Sequence, residues 1–247
     1  MKQNILKKNN KKEFVLEVDH LTKVVGTKKI LDEVTFSIPK GSVTIFVGEN
    51  GAGKSTTIKC ILDLFCYNHG KIKILGLDST NPLSRKNVGY VPEKENFTKS
   101  TFKNFLFHYG KLRNTSNVDL DDKIRKYAKK FEIEYLINSK TNIKKLSSGQ
   151  KKKILIILSL LGNEELFIMD EPTDNLDPKS RYIFYQIIDE LNKKSKKTFF
   201  ICSHNLDEVG EHANHAIFIS NGKILFDGKI KSKKDLVNRY KKLIITK

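Results

Sequence analysis

Between a β-branched and aromatic run, Ser42-Val43-Thr44-Ile45-Phe46-Val47, and a segment from Thr56 to Phe65 with apolar residues at helical spacing lies Gly48-Glu49-Asn50-Gly51-Ala52-Gly53-Lys54-Ser55-Thr56. This is GxxxxGK[ST] in the strand–loop–helix context that the motif requires. Glycines at 48, 51 and 53 let the backbone curl round a phosphate with its N–H groups turned inward, where side chains would block the approach. The helix opening near Lys54 adds its positive dipole end. Lys54 is placed to reach β- and γ-phosphates and the Ser55 hydroxyl to ligate Mg²⁺, so the stretch predicts a nucleoside-triphosphate site.

A chain of 247 residues can bury a sizeable core around such a loop. Its 46 Lys and Arg against 28 Asp and Glu leave a formal charge of +18, enough to attract nucleic acid, anionic lipid or nucleotide. The basic residues are spread along the chain without a compact arginine-rich arm, so no specific nucleic-acid partner is expected. Cys60, Cys66 and Cys202 are odd in number and lack metal-ligand spacing, which suits core thiols in a reducing, cytoplasmic compartment. Met1–Lys12 is polar and basic and reads as a solvated tail, not a secretory signal. The longest apolar run, Ile154 to Leu161, is far short of the roughly 20 residues needed to span a bilayer.

In chain order, Phe14–Val18 and Val34–Ile38 read as paired strands around a Gly26 turn, Lys71–Leu75 as a half-exposed strand, and Asn87–Glu93 as a strand ending at Pro92 with Glu93 at its tip. From about 97 to 145 the pattern turns helical, Thr101–Lys111 and Leu120–Phe131 flanking the polar Arg113–Val118, which predicts an inserted helical subdomain. Ser147 or Ser148 can cap the helix that follows. Lys151, Lys152 and Lys153 in its first turn oppose the helix dipole, either as a solvated cluster or because an anion docks nearby.

Leu166–Met169 is a buried-type strand ending in Asp170-Glu171, two carboxylates at the strand end where ligands sit in open α/β sheets. Asp170 is placed to hold the Mg²⁺ shell and Glu171 to polarise a water, a role worth roughly 10²- to 10⁴-fold in rate. Past the turn-rich loop 172–178 and a helix over Arg181–Lys194, strand Thr198–Cys202 ends in Ser203-His204, and a histidine on that shared edge can reach a γ-phosphate. His212 and His215 resemble a metal pair at helical spacing, but no carboxylate or cysteine in the sequence completes the set, so they are not expected to be ligands. Asn221-Gly222 marks a hairpin between 216–219 and 223–226 near the end of a domain over 13–230, and Lys231–Ile245 reads as a short basic helix in the C-terminal segment 231–247 that follows it.

The phosphate loop, Leu146-Ser147-Ser148-Gly149-Gln150, the Asp170-Glu171 strand end, the Leu176-Asp177 loop and Ser203-His204 come in one order that resembles an ABC ATPase subunit, over about residues 14 to 227. Residues 146–150 look like the family's LSGGQ signature. The resemblance implies an α/β fold: a P-loop NTPase core of mainly parallel sheet, an N-terminal antiparallel β subdomain and the helical insertion. It also implies ATP and Mg²⁺, and a head-to-tail pair of chains sandwiching two ATP. Ser147, Gly149 and Gln150 would contact the opposite chain's γ-phosphate, Glu171 would be the base, Asp170 and Ser55 would serve Mg²⁺, His204 would hold γ-phosphate and water, and Asp177 would lie in the loop linking the two sites.

Three positions depart from the family pattern. Val25 stands where an aromatic residue usually stacks on adenine, Glu93 replaces the glutamine of the loop that feels Mg²⁺ and the membrane partner, and Ser148 replaces a glycine. The expectation is the ATP-hydrolysing subunit of a membrane transporter. It would work as a dimer, most simply a homodimer, on a polytopic membrane subunit at the inner face of the membrane, with the Val91-Pro92-Glu93 loop most like export subunits. The competing expectation is a soluble ABC ATPase of cofactor assembly, translation or DNA maintenance. A single phosphate loop without internal repeat counts against the translation type.

Overall fold

The computed structural model describes residues 14–94, 97–112 and 116–245; the basic tail and part of the polar stretch at 113–115 lie outside them. Strands β1 (Phe14–Val25) and β2 (Lys28–Pro39) form an antiparallel hairpin that turns at Gly26, whose φ of 59° suits a residue without Cβ. Both strands run longer than the apolar runs at 14–18 and 34–38 indicate. Register shifts along the pair carry polar residues such as Lys23 and Lys29 through the ladder.

β3 (Val43–Val47) leads through the phosphate loop into α1 (Lys54–Ile61). That helix stops short of Phe65, because Asp63 takes a left-handed φ of 57° and the amides of Leu64 and Phe65 turn back to the Lys59 carbonyl. β4 (His69–Ile74) and the two-residue β5 (Leu77–Asp78) complete a four-stranded sheet in the order β2-β1-β4-β5.

β6 (Val88–Val91) is followed by α2 (Phe102–Lys111), α3 (Asn117–Lys130) and α4 (Ser148–Ser159). Thr101, Ser116 and Ser147 cap these three helices through their hydroxyls. β7 (Leu166–Asp170), α5 (Pro178–Ser195), β8 (Thr198–Cys202), the short α6 (Leu206–Val209), the hairpin β9 (His215–Ser220) and β10 (Lys223–Lys229), and α7 (Lys233–Tyr240) follow.

The second sheet runs β10-β9-β3-β8-β7-β6, parallel from β9 to β6 with β10 antiparallel at one edge. Its central strands are apolar on both faces because both are covered. Val43, Ile45, Phe167, Met169, Phe199 and Ile201 face the helices, while Phe46, Ile168, Phe200 and Ile217 face α1 and the antiparallel sheet. Phe36 from β2 packs on Phe46 and Phe200 at centroid distances of 5.7 and 5.8 Å, seating the antiparallel sheet on the core.

Parallel pairing decides where the chemistry lies. Phe46 is in register with Cys202, Cys202 with Asp170, and Met169 with Val91. The loops leaving β3, β8, β7 and β6 therefore emerge from one edge of the sheet, side by side.

Candidate active site

At that edge lies an open cleft of about 730 Å³, lined by Lys28, Ile30, Asn50, Gly51, Gly53, Lys54, Ser55, Thr56, Glu93, Asp170, Glu171, Asp174 and His204. Gly53 caps α1 at φ 108°, and a Cβ there would sit 2.7 Å from Leu31 Cδ2, so the loop both needs the left-handed backbone and leaves no room for a side chain. Lys54 is buried, and its ammonium donates to the carbonyls of Gly48 at 2.7 Å and Glu49 at 3.0 Å. Those bonds hold the loop arched over the helix N-terminus, with a cation at its centre.

Asp170 closes β7 at 3 % exposure, and its Oδ1 has no hydrogen-bond partner among the described residues. Burial pushes its pKa up, against the pull of the Ser55 hydroxyl, the Cys202 thiol and Lys54. A buried carboxylate oxygen with no partner among the described residues, beside a hydroxyl and a phosphate loop, is an oxygen donor that fits a hard divalent cation.

Glu171, the next residue, takes φ 45° and donates its amide to the Cys202 carbonyl at 2.9 Å. Its Oε2 lies 3.0 Å from His204 Nδ1. Burial pushes its pKa up and Asp174 adds to that, while the His204 contact draws it down. The result is a carboxylate of raised basicity, oriented by a histidine, on the rim of a polar cleft. It can take a proton from a water in front of it.

Ser147 Oγ accepts from the Gln150 amide at 3.2 Å, and Gln150 Oε1 accepts from the Ser147 amide at 2.8 Å, a reciprocal cap at the start of α4. Gln150 Nε2 also donates to Tyr135 Oη at 2.7 Å. Ser148 is helical, without positive φ, so a serine is accommodated where the family pattern has glycine. Gly149 is the demanding position, since a Cβ there would meet the Asn175 carbonyl at 2.7 Å. Asp177 caps α5, accepting from the Ser180 amide at 2.8 Å and Ser180 hydroxyl at 2.6 Å, and pairs with Lys153 at 3.3 Å.

A solvated lysine cluster at 151–153 is therefore not what the structure contains. Lys152 is buried at 3 % exposure, and its ammonium donates to the carbonyls of Pro92, Glu93 and Glu171 at 3.1, 2.9 and 3.2 Å. Lys153 is paired with Asp177 and donates to the Phe131 carbonyl. Helical geometry places Lys152 in line with buried Leu155, Ile156 and Ser159, a signal masked by the polarity of lysine.

The cleft thus gathers Asn50, Gly51, Gly53, Lys54, Ser55, Thr56, Glu93, Asp170, Glu171 and His204, with Gly48, Glu49 and Ala52 forming the loop behind. Ser147, Gly149, Gln150 and Asp177 do not line it, and Val25, 58 % exposed at the end of β1, is also absent from the lining. Lys28, Ile30 and Asp174 are lining residues without a sequence motif to announce them. His212 and His215 do not share a helix: His212 stacks on Tyr185 at 4.6 Å and His215 opens β9. Of the cysteines, Cys60 and Cys202 are buried but Cys66 is exposed, a departure from the core-thiol expectation. No described helix is long and apolar enough to cross a membrane.

A family profile described as "ABC transporter" matches residues 31–174. The putative ABC transporter ATP-binding protein of Mycoplasma pneumoniae is 39 % identical over 222 residues, covering 88 % of this chain and 68 % of that one. The zinc uptake system ATP-binding protein ZurA of Listeria monocytogenes is 31 % identical over 223 residues, covering 87 % and 85 %. Among solved structures, an ATP-binding subunit of an ABC transporter superposes with a TM-score of 0.83 at 26 % identity over 93 % of this chain and 94 % of that one. A dimeric ATP-binding cassette in a post-hydrolysis state with ADP and Pi superposes at 0.79 over 88 % and 99 %, and at 21 % identity it speaks to the fold.

Proposed function

This chain belongs to the ATP-binding subunits of ABC transporters, an ATPase family working with ATP and Mg²⁺, and from that premise we propose how its residues divide the work. Lys54 and the amides of the 48–56 loop hold the β- and γ-phosphates. Ser55 and Asp170 hold Mg²⁺, whose bound form neutralises charge on the phosphates. Glu93 offers a further oxygen to the metal shell, as a charged replacement for an amide. Glu171 accepts the proton of the attacking water, with His204 fixing its carboxylate and reaching toward the γ-phosphate.

One observation carries this assignment: Asp170 Oδ1, buried and without a partner, shares an edge with the Glu171–His204 pair and the Lys54 loop. The preceding cap residues Ser147, Gly149 and Gln150 lie outside the chain's own cleft, so their proposed γ-phosphate is that of a second copy arranged head to tail. Asp177 sits between the two sites, on the loop that ends at α5.

We further propose that the dimer drives a polytopic membrane subunit from the cytoplasmic face, through the Glu93 loop and the 97–112 segment. Likeness to a zinc uptake protein favours import over the export suggested by the Val91-Pro92-Glu93 loop, and makes a divalent metal ion the first cargo to test. The test is a detergent pull-down of the Glu171→Gln chain with ATP, followed by mass spectrometry. A co-purifying polytopic protein supports the transporter; soluble factors or nucleic acid alone would move the chain to the soluble ABC class.

A further inference from the structure

Lys152 stands in the second turn of α4, whose first turn carries Ser147, Gly149 and Gln150. Its ammonium has three N–H groups, and three carbonyls receive them: Pro92 and Glu93 on the loop after β6, and Glu171 on the loop after β7. The lysine thus ties one helix to two separate walls of the nucleotide cleft. Burial lowers its pKa while the carboxylates Asp174, Asp170, Glu93 and Glu171 raise it, so the cation is held among four acidic groups.

The Glu171 end is the informative one. A non-glycine residue at φ 45° keeps that conformation only where its surroundings over-determine it. The Cys202 carbonyl holds the Glu171 amide from β8, the Asp174 amide reaches the Glu171 carbonyl at 3.3 Å, and Lys152 reaches the same carbonyl from α4. Two of these three restraints come from the sheet and from the residue's own turn. The third is the one that depends on where α4 sits.

We propose that Lys152 is a positioning residue for ATP hydrolysis, setting the Glu171 backbone and the Pro92–Glu93 loop against the helix that bears the signature turn. Movement of α4, whose first turn meets the partner's nucleotide in the proposed dimer, is then transmitted to the base of the chain's own site. This inference rests on the assignment of Glu171 as base.

The experiment compares wild type, Lys152→Met and Lys152→Gln for kcat, KM and equilibrium ATP binding, with Glu171→Gln in parallel. Lys152→Met keeps the unbranched stem one atom shorter and loses every donor; the glutamine keeps two N–H groups. The expected result is a kcat reduced about ten- to a hundredfold in Lys152→Met, the scale of a misplaced catalytic group, with ATP affinity within about threefold of wild type and partial recovery in Lys152→Gln. Wild-type kcat in Lys152→Met, or a loss of ATP affinity as large as the loss of kcat, overturns the proposal. Should the methionine chain fail to fold, Lys152→Gln decides by the same split. Wild-type turnover in Glu171→Gln instead overturns the base assignment, whatever Lys152 does.

Discussion

Glu171 Oε2 lies 3.0 Å from His204 Nδ1, although 33 residues separate the two in the chain. Each follows the end of a parallel strand, and the Asp170–Cys202 register brings the two strand ends level. Glu171 is the less exposed partner, 13 % against 65 % for the histidine.

Replacing Glu171 by glutamine should leave ATP binding intact and lower turnover by roughly 10²- to 10⁴-fold, the usual worth of a general base. With hydrolysis blocked, size-exclusion chromatography with ATP should show a dimer that dissociates when nucleotide is removed. Turnover near that of wild type would falsify the role of Glu171.

The acid limb of kcat/KM should lie above the ordinary glutamate value of 4.5, because burial raises the Glu171 pKa and the base must be ionised. His204→Ala removes the contact that draws it down, so the limb should move to still higher pH. A pH–rate profile of both proteins checks the sign.

The same shift has a stability consequence of the opposite sense. A carboxyl whose pKa is raised by folding contributes stability below its unfolded pKa, lost as pH rises through the folded value. Glu171→Gln should therefore raise the melting temperature of the nucleotide-free chain at neutral pH and change it little below pH about 4, where the glutamate is protonated in both states. Equal melting temperatures at neutral pH would mean that Glu171 is ionised without penalty.

Asp177→Ala should cost about 0.5–2 kcal/mol, the range for loss of a helix N-cap. The Ser180 contacts, with Lys153 adding, hold the Asp177 pKa down to about 2 against an ordinary 3.8. Its contribution is present above the unfolded value and fades as pH falls from 3.8 toward 2. Denaturant melts of Asp177→Ala and wild type should therefore draw together across that window, while Asp177→Asn, which keeps a capping oxygen but not the charge, falls between the two at neutral pH.

Val25→Tyr should tighten ATP binding if adenine lies against the end of β1. By analogy with bases on aromatic side chains the gain is about 1–3 kcal/mol. Calorimetric titration measures it; unchanged affinity would place adenine against the Lys28 and Ile30 wall instead.

Much of the fold was legible because its strongest elements are short apolar runs closed by glycine, proline or charge: Val43–Val47, Leu166–Asp170 and Thr198–Cys202 each stand within a residue of the reading. Boundaries failed where a backbone conformation intervened without a sequence marker. α1 ends at a left-handed aspartate rather than a glycine, and β1 and β2 continue through bulges that break their alternation.

Local chemistry determined the phosphate loop, its glycines and cationic centre, the paired carboxylates after an apolar strand, and the serine cap of α4, because each depends on residues adjacent in the chain. Tertiary structure alone decided that Glu171 meets His204, that Asp170 Oδ1 is left without a partner, and that Lys152 is buried on three carbonyls instead of solvated. The physical reason is parallel strand pairing. It aligns loops distant in sequence at one edge of a sheet, and the helix packed behind that edge takes a lysine out of water only because carbonyls from two of those loops receive its ammonium.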